Sequence, residues 1–280
     1  MIKNARVNVP FSLIAPPKQD TENGSFSFRQ FILPTYLDLF LRRGADEKCL
    51  YSVANILSFG CGYANNANAY HRNHYDGIKY ALKFMQDKDY IGDIYSAKTG
   101  EVVDVLNVLP KEELFFDLTK MNHRIEGKFV VLSAERYMIL RQLRDESAIL
   151  FWKHLTLYTY LYSYLGYNPI KNERFREYWT FTQEKISIAL GDGFSPQTVG
   201  VLFDKLQDMG LIDFESVYIK TGNRKEPPYC IGTVTVLTME NETPEEVNQR
   251  LRRAKKDAKD GYIKNYVNKQ LENAMARSAV

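Results

Sequence analysis

Cysteine is scarce. Three residues (Cys49, Cys61 and Cys230) in a chain of 280 are too few for a disulfide framework, and an odd number cannot all pair. With no secretory signal after Met1, reduced thiols and a cytoplasmic location are expected. Catalytic signatures are missing as well. The chain contains no GxxxxGK[ST], GxSxG, HExxH or GxGxxG, which excludes the common phosphate-cradling, nucleophile-elbow, zinc-protease and dinucleotide motifs. Cys49, Cys61, His71 and His74 follow one another at intervals of 11, 9 and 2 residues, whereas a structural zinc site wants a close Cys pair. The expectation is a protein that is not an enzyme, with no cofactor, no metal and no small-molecule substrate. Long apolar runs are missing too. The most membrane-like stretch, Ala148 to Tyr167, is interrupted by Lys153 and His154, and Tyr, Thr and Ser crowd its second half. It reads as a buried helix, and no membrane partner is expected.

Charge of one sign is also in short supply. The 37 Lys and Arg against 34 Asp and Glu leave a net +3 and a pI near 8.5. That permits an acidic partner such as nucleic acid without requiring one. What the chain does have is aromatic material, 19 Tyr and 16 Phe, enough for more than one core in a length suited to two domains.

It also has a repeat. Sliding the sequence by 121 places Ile78 on Val199, Leu82 on Phe203, Met85 on Leu206 and Ile91 on Ile212, so that "MQDKDYI" meets "LQDMGLI". The i, i+4, i+7 spacing of the apolar residues predicts an amphipathic helix in each copy. A strand follows in each (YIGDIYS, LIDFESVYIK), then a turn with the tripeptide Lys98-Thr99-Gly100 or Lys220-Thr221-Gly222, then a second strand (EVVDVLNVL, YCIGTVTVLT). Sliding by 99 matches upstream blocks: Phe31-Ile32-Leu33 with Val130-Val131-Leu132, Leu39-Phe40-Leu41 with Met138-Ile139-Leu140, and the helix-opening Asp46-Glu47 with Asp145-Glu146. The 22-residue difference reads as a Tyr-rich helix inserted in copy two.

Copy two is the clearer. Thr182 is a candidate N-cap for the helix QEKISIALG, with Ile186, Ala189 and Leu190 as its buried face. Ser195 caps the next helix with Pro196 at its first position; Val199, Leu202, Phe203 and Leu206 face inward, and Gly210 stops it. A hairpin with the polar tip TGNRKEPP follows. The run FTQEKISIALGDGFSPQTVGVLFDKLQDMGLI, preceded by FVVLSAERYMILRQLRDESAILFWKHLTLY, resembles the winged helix-turn-helix domains of plasmid and phage replication initiators and replisome organisers, one large class of which carries two such domains in tandem. The resemblance covers roughly residues 128–238 directly and 28–108 through the repeat. It implies a mainly α, α+β fold of two tandem winged helices, divided into a flexible arm (1–27), a diverged domain (28–126), a second domain with the Tyr-rich helix (127–243) and a basic C-terminal helix (244–280). Copy one departs from the pattern: where its first paired helix should lie stands GYANNANAYHRN, polar and without apolar spacing.

In that family the second paired helix enters the major groove and the hairpin touches phosphate or the minor groove. The positions that match are Ser195, Gln197, Thr198 and Lys205 on the helix and Lys220, Asn223, Arg224 and Lys225 on the hairpin; in copy one they are Arg72, His74, Tyr75, Lys79 and Lys83, with Lys98. Val201, Asp204 and Asp208 also point outward, and the two acids confine any insertion to the first turns. Between Arg250 and Lys269 lie eight Lys or Arg against two Asp. The expected partner is double-stranded DNA, with a homodimer through the Tyr-rich or the C-terminal helix. A transcriptional regulator is the near alternative to an initiator, and a protein-docking adaptor the alternative of another class.

Overall fold

The computed structural model describes residues 6–24, 26–63, 69–122, 129–165, 167–168, 173–174, 178–220, 228–238 and 242–278, without the side chains of 69–72, 122, 167–168, 173–174, 266–267 and 269–278. The architecture is α+β with small antiparallel sheets, and the chain divides into two compact units, Met1–Ser163 and Tyr164–Val280. Among the described residues no helix is long and apolar enough to cross a membrane.

The described residues of the first unit open on a strand where a flexible arm was expected over 1–27. β1 (Arg6–Pro10) pairs antiparallel with a strand more than a hundred residues away, β7 (Phe129–Ser133), in the register Val7 to Leu132 and Val9 to Val130. The alternation of RVNVP puts both valines on one face, where they are buried with Val130 and Leu132. Burial of Leu13 and Ile14 in α1 (Phe11–Ile14) extends the anchor. A two-residue hairpin, β2 (Glu22–Asn23) and β3 (Phe26–Ser27), leads into α2 (Arg29–Arg42), in which Phe31 through Leu39 are all buried.

β4 (Lys48–Tyr51) follows a turn in which Glu47 adopts a positive φ, so Asp46-Glu47 precedes a strand and opens no helix. Cys49 lies buried in that strand, and burial pushes its thiol pKa up to about 11. Ser52 then caps α3 (Val53–Asn55), its Oγ accepting from Asn55 N at 3.2 Å, and the helix continues as one π turn, Ile56–Gly60. Next come α4 (Ala69–Asp87), β5 (Ile94–Ser96) and β6 (Leu114–Asp117), and the sheet order is β4-β6-β5. The strand expected at EVVDVLNVL does not form. Only Val102 bridges to Tyr95; then the Asp104 carboxylate accepts from Leu106 N at 3.1 Å and Asn107 Nδ2 at 2.8 Å, and this side-chain turn diverts the chain so that LFFD takes the place beside β5.

α5 (Ala134–Arg141), capped by Ser133, packs back on these elements through charge. Arg141 reaches the fully buried Asp38 carboxylate of α2 at 3.3 Å, and Arg42 reaches it at 3.1 Å. Arg141 and Arg144 both donate to Phe59 O at the end of the π turn, where a helix C-terminus favours cations. Most of α6 (Ala148–Leu165) belongs to this unit; its Trp152, Leu155, Tyr158 and Tyr160 are buried within the chain.

The second unit has a two-residue hairpin, β8 (Tyr167–Asn168) with β9 (Glu173–Arg174), then β10 (Trp179–Phe181), α7 (Gln183–Leu190), α8 (Pro196–Asp208), β11 (Ile212–Ile219) and β12 (Tyr229–Leu237), in the sheet order β10-β12-β11. α9 (Pro244–Ser278) begins in a capping box: Thr243 Oγ1 accepts from Glu246 N, and the Glu246 carboxylate accepts from Thr243 N at 2.8 Å. Its first turns lay Val247, Leu251 and Ala254 on Val217, Val234 and Val236, the sheet face opposite α8, and Lys255 pairs with Glu215 at 2.7 Å.

The two copies share one order: strand, short helix, long helix, strand, strand, with the last strand central in the sheet. Ser52 and Thr182, the matching caps, stand 130 positions apart, while Ile78 and Val199 stand 121 apart. The nine additional residues of copy one therefore lie between its paired helices. Its first paired helix is Val53–Gly60, not GYANNANAYHRN. Val53, Ala54, Ile56 and Leu57 are buried, and the less buried side, Asn55, Ser58 and Phe59, spans little more than one turn, too short to reveal a helical period. The 99-residue alignment does not survive either, because Phe31-Ile32-Leu33 is helical and Val130-Val131-Leu132 is paired in a sheet. In chain order the Tyr-rich α6 is the counterpart of α2, each preceding the first strand of its copy. The expected domain boundary at 126/127 falls inside the first unit, since β7, α5 and most of α6 pack there.

Candidate functional site

In copy two the candidate site is two helices joined by a tight turn, followed by a hairpin. Thr182 Oγ1 accepts from Lys185 N at 3.2 Å, which starts α7. Gly191 and Gly193, both at positive φ, turn the chain, and buried Phe194 pins the turn while Ser187 Oγ donates to its carbonyl. Ser195 Oγ accepts from Thr198 N at 3.1 Å and starts α8. Gly200 faces the Gln183 amide, where a Cβ would stand 3.0 Å from Nε2 and the exposed Gln183 side chain would have to shift. Val199, Leu202, Phe203 and Leu206 are buried, with the Phe203 ring edge-on to Phe214 of β11 at 5.1 Å. Ile186 and Leu190 are buried in α7; Ala189 is exposed, because it lies one step outside the stripe those two define.

The face left over is the candidate surface. Ser195 and Gln197 are exposed at the start of α8, Thr198 and Lys205 are half-buried, and Asp204 and Asp208 are exposed further along. Two apolar side chains also stand out: Val201, 66% exposed, and Ile188, 74% exposed. Lys220 is exposed at the base of the hairpin tip. Asn223, Arg224 and Lys225 lie outside the described residues.

In copy one, α4 buries Ile78, Leu82 and Met85 completely, and His74 with them. His74 was expected on the basic face. It sits one turn before Ile78 on the same stripe, its ring 4.2 Å from that of Tyr63 and 5.8 Å from that of Phe31, so it is core. Tyr75, Lys79 and Lys83 do share a partly exposed face. Lys79 Nζ donates to Leu106 O at 3.2 Å. Lys83 pairs with Asp87 at 2.8 Å; that hydrogen bond and charge, with Asp104 nearby, hold its ammonium pKa above the usual lysine value. Such an i, i+4 surface pair is weak and screened by salt, so it tethers Lys83 without removing it from other anions. Lys98 is exposed in the β5 turn, where Gly100 takes the positive φ. The side chain of Arg72 lies outside the described residues.

Chemically, the two faces offer hydroxyls, amides and scattered cations to a ligand outside the fold. Sequence reasoning missed Ile188, for which the signal was its register between Ile186 and Leu190, and the Ser52 cap, a serine before an apolar run. Comparisons with protein-family models, with curated proteins and with solved structures returned no match.

Proposed function

We propose that this chain binds double-stranded DNA through two winged helix-turn-helix modules in tandem and acts in replication initiation or replisome organisation. The observation that carries the reading is the repeated topology, strand–helix–helix–strand–strand with the last strand central, in which copy two presents an N-terminal cluster of Ser195, Gln197 and Thr198 on α8. A helix of that length fits the major groove, its first-turn hydroxyl and amide groups suit base edges and phosphates, and exposed Val201 suits a thymine methyl. Lys220 with Arg224 and Lys225, and Lys79 with Lys83, supply the sequence-independent attraction.

The test is selection from a random duplex pool, at low and at physiological salt, followed by sequencing. A directly repeated motif is expected; a palindrome would favour a transcriptional regulator. Loss of all binding at physiological salt, with no motif at either salt, would overturn the reading. A second reading, a protein-docking adaptor, draws on Asp204, Asp208, Ile188 and Val201, which give α7 and α8 an apolar, partly acidic exterior. Reversing Arg224 and Lys225 to Glu separates the two. A DNA binder loses affinity for every sequence, and its salt dependence becomes shallower, by about one in the log–log slope for each phosphate left without its cation; an adaptor is indifferent.

A further inference from the structure

The two copies differ in what covers the outer face of the sheet. In copy two, α9 covers it, with Val247, Leu251 and Ala254 seated on Val217, Val234 and Val236. In copy one the same face is bare among the described residues. Leu50 of β4 stands opposite Phe115 of β6, Phe115 opposite Tyr95 of β5, and Tyr95 bridges Val102, so the four form one apolar row across the sheet. Leu50 is 50% exposed and Val102 60%. Strand alternation places exposed Asp93 and Glu113 on the same face, beside Tyr95 and Phe115, and exposed Lys48 beside Leu50, opposite Asp117. Apolar with a mainly acidic border is also the character of the covered face, where Glu215 takes Lys255 of α9.

α9 has length to spare. At 35 residues it spans about 52 Å, and only its first turns reach the sheet. Tyr262 and Ile263 are exposed beyond them, beside exposed Lys264. Ile263 follows Ala258, the last position packed against that sheet, by five residues, about 140° around the helix, so it faces away from the sheet that the first turns occupy. In the sequence Ile263, Val267, Leu271 and Met275 recur every fourth position, with Lys264, Lys269 and Glu272 among them and Arg277 after them.

We propose that the bare sheet face of copy one receives the distal half of α9 from a second copy of this chain. The occupant matches in shape, because the homologous face already holds an amphipathic helix, and in charge, because a basic helix meets Asp93 and Glu113.

The experiment uses the full chain. Sedimentation over a range of concentrations is expected to show self-association, and Leu50→Lys and Ile263→Lys are each expected to raise the dimer dissociation constant roughly tenfold or more. Both positions are exposed, and circular dichroism checks that each variant folds. In a Cys230→Ser background, mixing Val102→Cys chains with Ile263→Cys chains under mild oxidation is expected to give a species of twice the mass. A wild-type chain that stays monomeric, a dimer that neither lysine weakens, or a Val102→Cys/Ile263→Cys chain that closes on itself at unchanged mass would each overturn the proposal.

Discussion

Gly77 lies inside α4, where alanine would favour the helix by about 1 kcal/mol. Yet a Cβ there would run into the buried ring of Phe31. Overpacking of a closed core costs roughly 1–3 kcal/mol, so packing opposes propensity and prevails. Gly77→Ala is therefore expected to lower the urea midpoint of the full chain, and Phe31→Leu in the same chain to restore part of the loss. A raised midpoint would mean that the ring swings aside. Single residues were unevenly legible in the sequence. The inward set of α8 could be read from spacing alone, because every member is apolar and the helix is regular. His74 could not be read from its chemistry. An imidazole beside Arg72 and Lys79 suggests a basic face, but its register one turn before Ile78 puts it against Tyr63. Angular position overrode residue type.

Elements were legible where they are local. The Thr182 and Ser195 caps, the turn glycine Gly100 and the long basic helix all follow from short stretches of sequence. Val53–Gly60 was hidden because a helix of eight mostly buried residues with a π turn shows no period, and EVVDVLNVL misled because one Asp side chain bends a run of good strand formers. The α9 cap also carries a pH dependence. Hydrogen bonds from the backbone and side chain of Thr243 hold the Glu246 carboxyl pKa below its ordinary value of 4.5. A lowered folded-state pKa means that the contribution is complete above that ordinary value and fades as pH falls through the folded one. Amide exchange at Thr243 is expected to accelerate below about pH 4.5, beyond the intrinsic trend. Glu246→Gln, which keeps an acceptor without a titrating proton, is expected to abolish that acceleration. Equal behaviour of the two chains would count against the box.

At the scale of the molecule, the repeat was visible and its boundaries were not. The Tyr-rich helix α6 begins in the first unit and ends in the second, so no composition shift marks the division. The N-terminal strand was invisible for the opposite reason: RVNVP has the right alternation, but its partner is encoded over a hundred residues away. Deleting residues 1–10 strips β7 of its mate and leaves an open edge. That chain is expected to melt earlier, with the first transition reported by Trp152 fluorescence in a Trp179→Phe background, and to scatter light on heating. An unchanged melt would make β1 dispensable.

The same pairing has a consequence in time. A ribosome adds on the order of 5–20 residues per second, so the roughly 120 residues between β1 and β7 take on the order of ten seconds to make. Through that interval Val7 and Val9 have been synthesised and have no strand to meet. This strand is made well before its mate and can pair only once residues 129–133 have emerged, which makes Val7 and Val9 natural ones for a nascent-chain chaperone to hold.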